Sequence, residues 1–157
     1  MNKKTIKGIK ANRGIHLIDI ENLCRTGDLT VDLVAEVREA YLDQIKPGAG
    51  DLFAIASSHH NIEAVSFGWP GGFHGYRSGK DGADIVLAKM MIEENLSDRF
   101  ENVYLASGDA GLAPFAISLA SQGSHIISIS RVESASFAMR LATESMHYLQ
   151  ISHALAA

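Results

Sequence analysis

Three aspartates stand where alternating strands and helices would gather acids. Asp19 closes the apolar stretch 15–20 (IHLIDI), and Asp109 follows the stretch 103–106 (VYLA) across Ser107-Gly108. Asp84 falls in the first turn of an apolar-periodic segment that opens at Gly82. Short apolar runs of this kind read as buried parallel strands. In an open parallel sheet the carboxyl edge is where ligands and chemistry sit. Carboxylates brought together there repel one another, and their pKa values rise unless a cation relieves them. Mg²⁺ or Mn²⁺ suits an all-oxygen donor set and keeps several of its waters. Such an ion lowers the pKa of a bound water and stabilises charge developing on a phosphoryl group. The chemistry implied is metal-assisted phosphodiester hydrolysis. Singly, each acid has a plainer reading: Asp109 as a helix N-cap, Asp81 and Asp84 at the positive end of a helix, Asp19 with Asn22 as an Asx turn. Three at one sheet edge favour a site.

The positioning elements follow from periodicity. A helix is expected over 30–45, with Val31, Val34, Val37, Tyr41 and Leu42 on one face and Asp28 or Thr30 as cap. Pro47-Gly48-Ala49-Gly50 is a turn, 52–56 a strand and 61–67 a short helix. The glycine-rich stretch 69–77 holds a short edge strand. The helix over 82–95 is expected to bury Ile85, Leu87, Ala88, Met91 and Ile92. After the strand 103–106 comes a helix carrying Leu112, Phe115, Ala116, Leu119 and Ala120, ended by Gly123. A strand over 126–129, a small helix over 134–143 and a last edge strand over 146–151 complete the chain. The alternation predicts a single three-layer α/β/α, Rossmann-like sandwich around a mostly parallel sheet, spanning 14–157.

The 157 residues carry a net charge of −4, which argues against a protein that coats nucleic acid through general basicity. Residues 1–13 form a basic tail with Lys3, Lys4, Lys7, Lys10 and Arg13 and no acid, suited to phosphate contacts or to solubility alone. No apolar run reaches the roughly 18 residues of a membrane span, and the N-terminal lysines have no apolar core behind them. A lone cysteine, Cys24, excludes an internal disulfide and fits a reducing cytoplasm. Cytoplasmic localisation without membrane association is the expectation.

Three blocks, LIDIENL (17–23), GKDGADIVLAKMM (79–91) and VYLASGDAGLAPFAISLASQG (103–123), resemble in order and spacing the signature blocks of NYN domains, within the PIN-like superfamily of metal-dependent nucleases. The resemblance covers roughly 15–129. It implies a PIN-like fold and a Mg²⁺- or Mn²⁺-dependent ribonuclease acting on single-stranded or structured RNA. Asp19 and Asn22 match the acid and amide of the first block. Asp84 matches the acid after the Lys-x-Gly element, here Lys80-Asp81-Gly82, and Asp109 that of Ser-Gly-Asp. The three acids would then be metal ligands, Asn22 would orient a ligand or substrate, and Ser107 would stand close behind. The chain departs from the family at Gly111, where a second acid is usual, and at Ala88-Lys89-Met90, where another often follows. Glu21 or Asp81 is a candidate substitute. These departures support an alternative: a catalytically weak module binding RNA or a protein partner.

Around the site, His59 and His60 end the second strand and can meet phosphate or move protons, or serve as plain loop residues. Arg77 and Lys80 are candidate phosphate contacts. Trp69, Phe73 and Tyr76 can stack bases or anchor the glycine-rich loop. His16 reads as a satisfied core histidine, Cys24 as a small buried residue, and Met90, Met91 and Met139 as core filling. The edge strand near Phe73 leaves room for a homodimer. A haloacid-dehalogenase-like reading of Asp19-Ile20-Glu21 and Gly108-Asp109 fits poorly, because Glu21-Asn22-Leu23 departs from that first block.

Overall fold

A computed structural model describes residues 12–151. Within them the apolar runs become strands β1 (Gly14–Asp19), β2 (Leu52–Ser57), β3 (Phe73–Tyr76), β4 (Asn102–Ala106), β5 (His125–Ser130) and β6 (Ser145–Tyr148). Every pairing is parallel, in the order β3-β2-β1-β4-β5-β6. Between them run helices α1 (Ile20–Cys24), α2 (Val31–Ile45), α3 (Ile62–Gly68), α4 (Gly82–Glu93), α5 (Leu96–Arg99), α6 (Ala113–Ser121) and α7 (Phe137–Ala142). The chain is a three-layer α/β/α sandwich. Of the basic tail, only Asn12 and Arg13 fall among the described residues.

Strand alternation distributes the core. Ile15, Leu17, Ala54, Ala56, Val103, Leu105 and Ile126 pack under α4, α6 and α7 with Leu87, Met91, Leu112, Leu119 and Met139. Ile18, Ile55, Ala106 and Ile129 pack on the opposite face with Leu23, Val34, Val37, Tyr41 and Val65. β1 is buried along its whole length, as a central strand must be. Thr30, not Asp28, caps α2 by accepting from the Leu33 N–H at 3.1 Å.

Several expectations need correction. Ile85 is 40% and Ile92 66% exposed, so α4 buries Leu87, Ala88 and Met91 but not those two. Ala120 and Val31 are exposed as well. Ile20 leaves the strand to begin α1, because Asp19 caps a helical turn there. The segment expected as one helix over 134–143 divides into a 3₁₀ turn at Val132–Ser134 and α7.

His16 is wholly buried and fully bonded, with Nδ1 2.6 Å from the Tyr41 hydroxyl and Nε2 2.7 Å from Asp51 Oδ2. Its ring stacks between Phe53 and Tyr104 at 4.6 and 4.2 Å. Burial lowers its pKa against the opposing pull of Asp51. Trp69 is 3% exposed and packs on Tyr41 and Phe53, so it anchors the glycine-rich loop rather than offering a stacking surface. Among the described residues, no helix is long and apolar enough to cross a membrane.

Candidate active site

The strand order reverses between β1 and β4, and at such a switch point the adjoining connections depart to opposite faces and leave a crevice at the carboxyl ends. Asp19 ends β1, and Ser107-Gly108-Asp109 follows β4 directly. Asp19 shares the parity of Ile15 and Leu17, so it faces α4, whose first turn carries Asp84. Asp19, Asn22, Asp84 and Asp109 all line one open cleft of about 200 Å³, together with Glu21, Ser58 and Asp81. The structure thus brings to one place the four residues that the resemblance puts at the centre of the site.

Each has local work. Asp19 Oδ1 accepts the Asn22 N–H at 3.2 Å and caps α1, while Oδ2 accepts from Ser107 Oγ at 3.4 Å. Asn22 Oδ1 accepts the Gly108 N–H at 3.1 Å, tying α1 to the turn after β4. Ser107 Oγ accepts the Asp109 N–H at 3.2 Å. Asp109 Oδ1 accepts the Gly111 N–H at 2.7 Å and caps the 3₁₀ turn Ala110–Leu112 that leads into α6. Ser107 is wholly buried, and its hydroxyl meets Asp19 and the Asp109 N–H close behind the acids, not a substrate.

Electrostatics marks the cluster. Asp19 is 6% exposed, and its pKa is pushed up to about 6. Burial is the main cause, Glu21 and Asp109 add to it, and the hydrogen bonds from Asn22 and Ser107 oppose it. Asp84 is pushed up to about 7 by burial, then by the charges of Asp19 and Asp109 and a carboxyl–carboxyl contact with Asp109. Asp84 Oδ1 is buried without a hydrogen-bond partner. Among the described residues, no three His, Cys, Asp or Glu side chains close around a single ion position. The donors nevertheless fit a hard cation of the Mg²⁺ kind, which takes one or two carboxylates and completes its shell with water and substrate phosphate. Asp84, with its partnerless oxygen, and Asp109 are the residues that would hold it.

The basic residues are placed differently. His59, His60, Arg77 and Lys80 are exposed, and none lines the acid cleft. His59 Nδ1 lies 2.8 Å from Ser78 Oγ, and His60 Nε2 lies 2.6 Å from the Gly27 carbonyl. All four lie on the segments after β2 and β3, whose Ser58 and Gly79 do line the cleft.

Sequence reasoning missed two contributors, Arg131 and the segment that follows it, and one role of a third, Glu21. Glu21 accepts from the Ser58 N–H and hydroxyl, so it fastens α1 to the end of β2 while lining the cleft. Arg131, buried at the end of β5, donates from Nη1 to the Leu23 carbonyl at 3.3 Å and closes the carboxyl end of α1. The segment after β5 also presses on the acid turn, with the Ser136 N–H donating to the Gly108 carbonyl at 3.0 Å. The two block glycines are close-approach positions. A Cβ at Gly108 would stand 2.0 Å from the Ser134 carbonyl oxygen, and one at Gly82 2.1 Å from that of Arg77. Only the glycines themselves signalled this from the sequence.

No protein-family model and no curated protein matches the chain. Among solved structures it is similar to a protein of unknown function from Vibrio parahaemolyticus, with a TM-score of 0.61 at 13% identity over 88% of this chain and 93% of that one. At that identity the likeness bears on the fold alone.

Proposed function

We propose that this protein is a metal-dependent ribonuclease of the NYN and PIN-like kind, hydrolysing RNA phosphodiester bonds at the cleft of Asp19, Asp84 and Asp109. The observation that carries the reading is the acid cluster at the switch point, where burial and mutual repulsion hold two carboxyls far above their usual range near 4. Such a cluster is relieved by a divalent cation. When bound, Mg²⁺ or Mn²⁺ supplies a more acidic water and charge neutralisation at the phosphoryl oxygens. The chain's own part is positional. Asn22 and Ser107 lock Asp19 and the Ser107-Gly108-Asp109 turn into one register through hydrogen bonds. Arg77, Lys80, His59 and His60, exposed on the segments after β2 and β3, would meet the flanking phosphates of an RNA strand. The buried lone cysteine fits a cytoplasmic setting.

Cleavage of a fluorescent single-stranded RNA is expected with Mn²⁺, not with EDTA, and not by the Asp19→Asn/Asp109→Asn double variant. Both substitutions keep a side chain able to cap, so the variant should fold. If wild type and variant leave the RNA equally intact while binding it equally well, the nuclease reading is lost for that substrate.

A second reading has its own support. Gly111 adds no acid, and no three carboxylates surround one ion position among the described residues. These favour a module that binds RNA or a protein partner with little catalysis. The short edge strand β3, with Phe73 56% exposed, would serve a homodimer or a partner strand. RNA retention in EDTA without cleavage in Mn²⁺ would select this reading.

A further inference from the structure

The exposure of Ile85 has no explanation in the acid cleft. Helices α4 and α6 run side by side, and between them lies a second hollow of about 270 Å³. Its mouth is shared with the cleft, because Asp81, Asp84 and Asp109 border both. Beyond them Ile85, Ala88 and Leu112 and the ring of Phe115 make it apolar. Helical spacing accounts for the continuity: Asp81, Ile85 and Ala88 are four and three residues apart, so one stripe of α4 runs from the acids into the hollow. Small residues keep it open, with Ala88 in one wall and Gly111 at the rim, where a Cβ would meet only Asp109 Oδ1 at 3.0 Å.

We infer that this hollow holds a guanine base of the substrate, beside the phosphate over the acid cleft. The inference rests on the nuclease reading for the phosphate, but the base is chosen by the hollow itself. A phenyl ring on one side and an aliphatic wall on the other suit the face of any nucleobase. The edge is selected by the rim. An ionised carboxylate only accepts hydrogen bonds and can take two donors at once. Among the four neutral bases, guanine presents a ring N–H and an exocyclic amine side by side; adenine and cytosine set an acceptor next to their amine, and uracil flanks its N–H with carbonyls. Asp81 is the carboxylate placed for this. It is exposed at the N-cap of α4 with φ 60°, and its side chain makes no capping bond. Because the same aspartates border both spaces, the base and the reacting phosphate belong to one nucleotide or to neighbours.

The test is a titration of the protein in EDTA with the neutral nucleosides guanosine, adenosine, cytidine and uridine, read on isoleucine and leucine methyl signals. Nucleosides avoid repulsion between a phosphate and the aspartates, and the readout needs no catalysis. Guanosine should shift the Ile85 and Leu112 methyls and bind about tenfold tighter than the others. Phe115→Ala should weaken it about tenfold, and Ala88→Leu should abolish the shifts by filling the hollow. Asp81→Asn should bring the four nucleosides together. Asp81 is exposed and asparagine adopts the left-handed backbone readily, so this variant keeps the test sound if a core variant fails to fold. No shift at Ile85 with any nucleoside overturns the inference, as does equal binding of all four unchanged by Asp81→Asn. Shifts of the same methyls on diluting the protein alone would mean that a second copy covers the hollow, and would overturn it too. Guanosine binding without RNA cleavage removes the nuclease and leaves the base site. Metal-dependent cleavage without guanosine preference does the reverse.

Discussion

Asp19 and Asp84 link the site to the stability of the whole chain. Their pKa values stand at about 6 and 7 in the folded state, against about 4 in an unfolded chain. Between those limits the folded state binds more protons, so their contribution to stability falls as pH rises through 4 to 7. His16 works in the opposite sense, because its lowered folded pKa costs stability as pH falls below its unfolded value near 6.5. Asp19→Asn isolates the acid effect. In EDTA the variant should melt higher than wild type at pH 7.5, and the difference should shrink towards pH 5. A variant that melts lower at pH 7.5 would mean that the hydrogen bonds of Asp19 outweigh its repulsion. Mn²⁺ binding only the folded state should raise the wild-type melting temperature at pH 7.5, by an amount that grows with the logarithm of concentration above its dissociation constant. The Asp19→Asn/Asp109→Asn variant should show little of that rise.

At the scale of elements, the acids are held by short connections that press on one another. The segment 131–136 touches both acid-bearing pieces: Arg131 closes α1, and the backbone around Ser134 and Ser136 lies on Gly108. Gly108→Ala should therefore cost about 2 kcal/mol by overpacking, read as a shift in urea midpoint with unchanged slope. It should also reduce any metal-dependent melting shift, because Ser107 and Asp109 flank the displaced atom. Arg131→Met should loosen α1 and weaken the Mn²⁺-induced shift more than it lowers the melting temperature in EDTA; equal losses would mark Arg131 as merely structural. These couplings explain what was legible beforehand. The strand-closing aspartates and the block glycines could be read because residue type and position coincide. Helix α1 could not, because five residues directly after a strand have no periodicity of their own. The burial of Ile85 and Ile92 was misread because α4 is apolar nearly all round, so composition did not reveal which stripe faces the sheet.

At the scale of the molecule, the order β3-β2-β1-β4-β5-β6 places the connections that carry Asp19, Asp84 and Asp109 at one end of the sheet. Alternation of strands and helices foretold a parallel sheet, and the acids at strand ends foretold its working edge. Strand order itself has no local signature, and neither does the exclusion of Arg77 and Lys80, the candidate phosphate contacts, from the lining of the acid cleft. That arrangement bears on how RNA would bind. The chain carries a net −4, and its cleft is acidic, so the cleft repels phosphate unless a cation is present. Arg77 and Lys80, exposed on the segment between β3 and the acid helix, are candidates to supply the attraction. If Arg77 and Lys80 each neutralise one phosphate of a single strand, the slope of log affinity against log salt should be about −1.4. Arg77→Ala/Lys80→Ala should bring it towards zero while leaving the melting temperature in place, because both side chains are exposed. An unchanged slope in the double variant would remove these two residues from the RNA path. A wild-type slope several times steeper would point to cations elsewhere, and the search would move to the basic segment before β1.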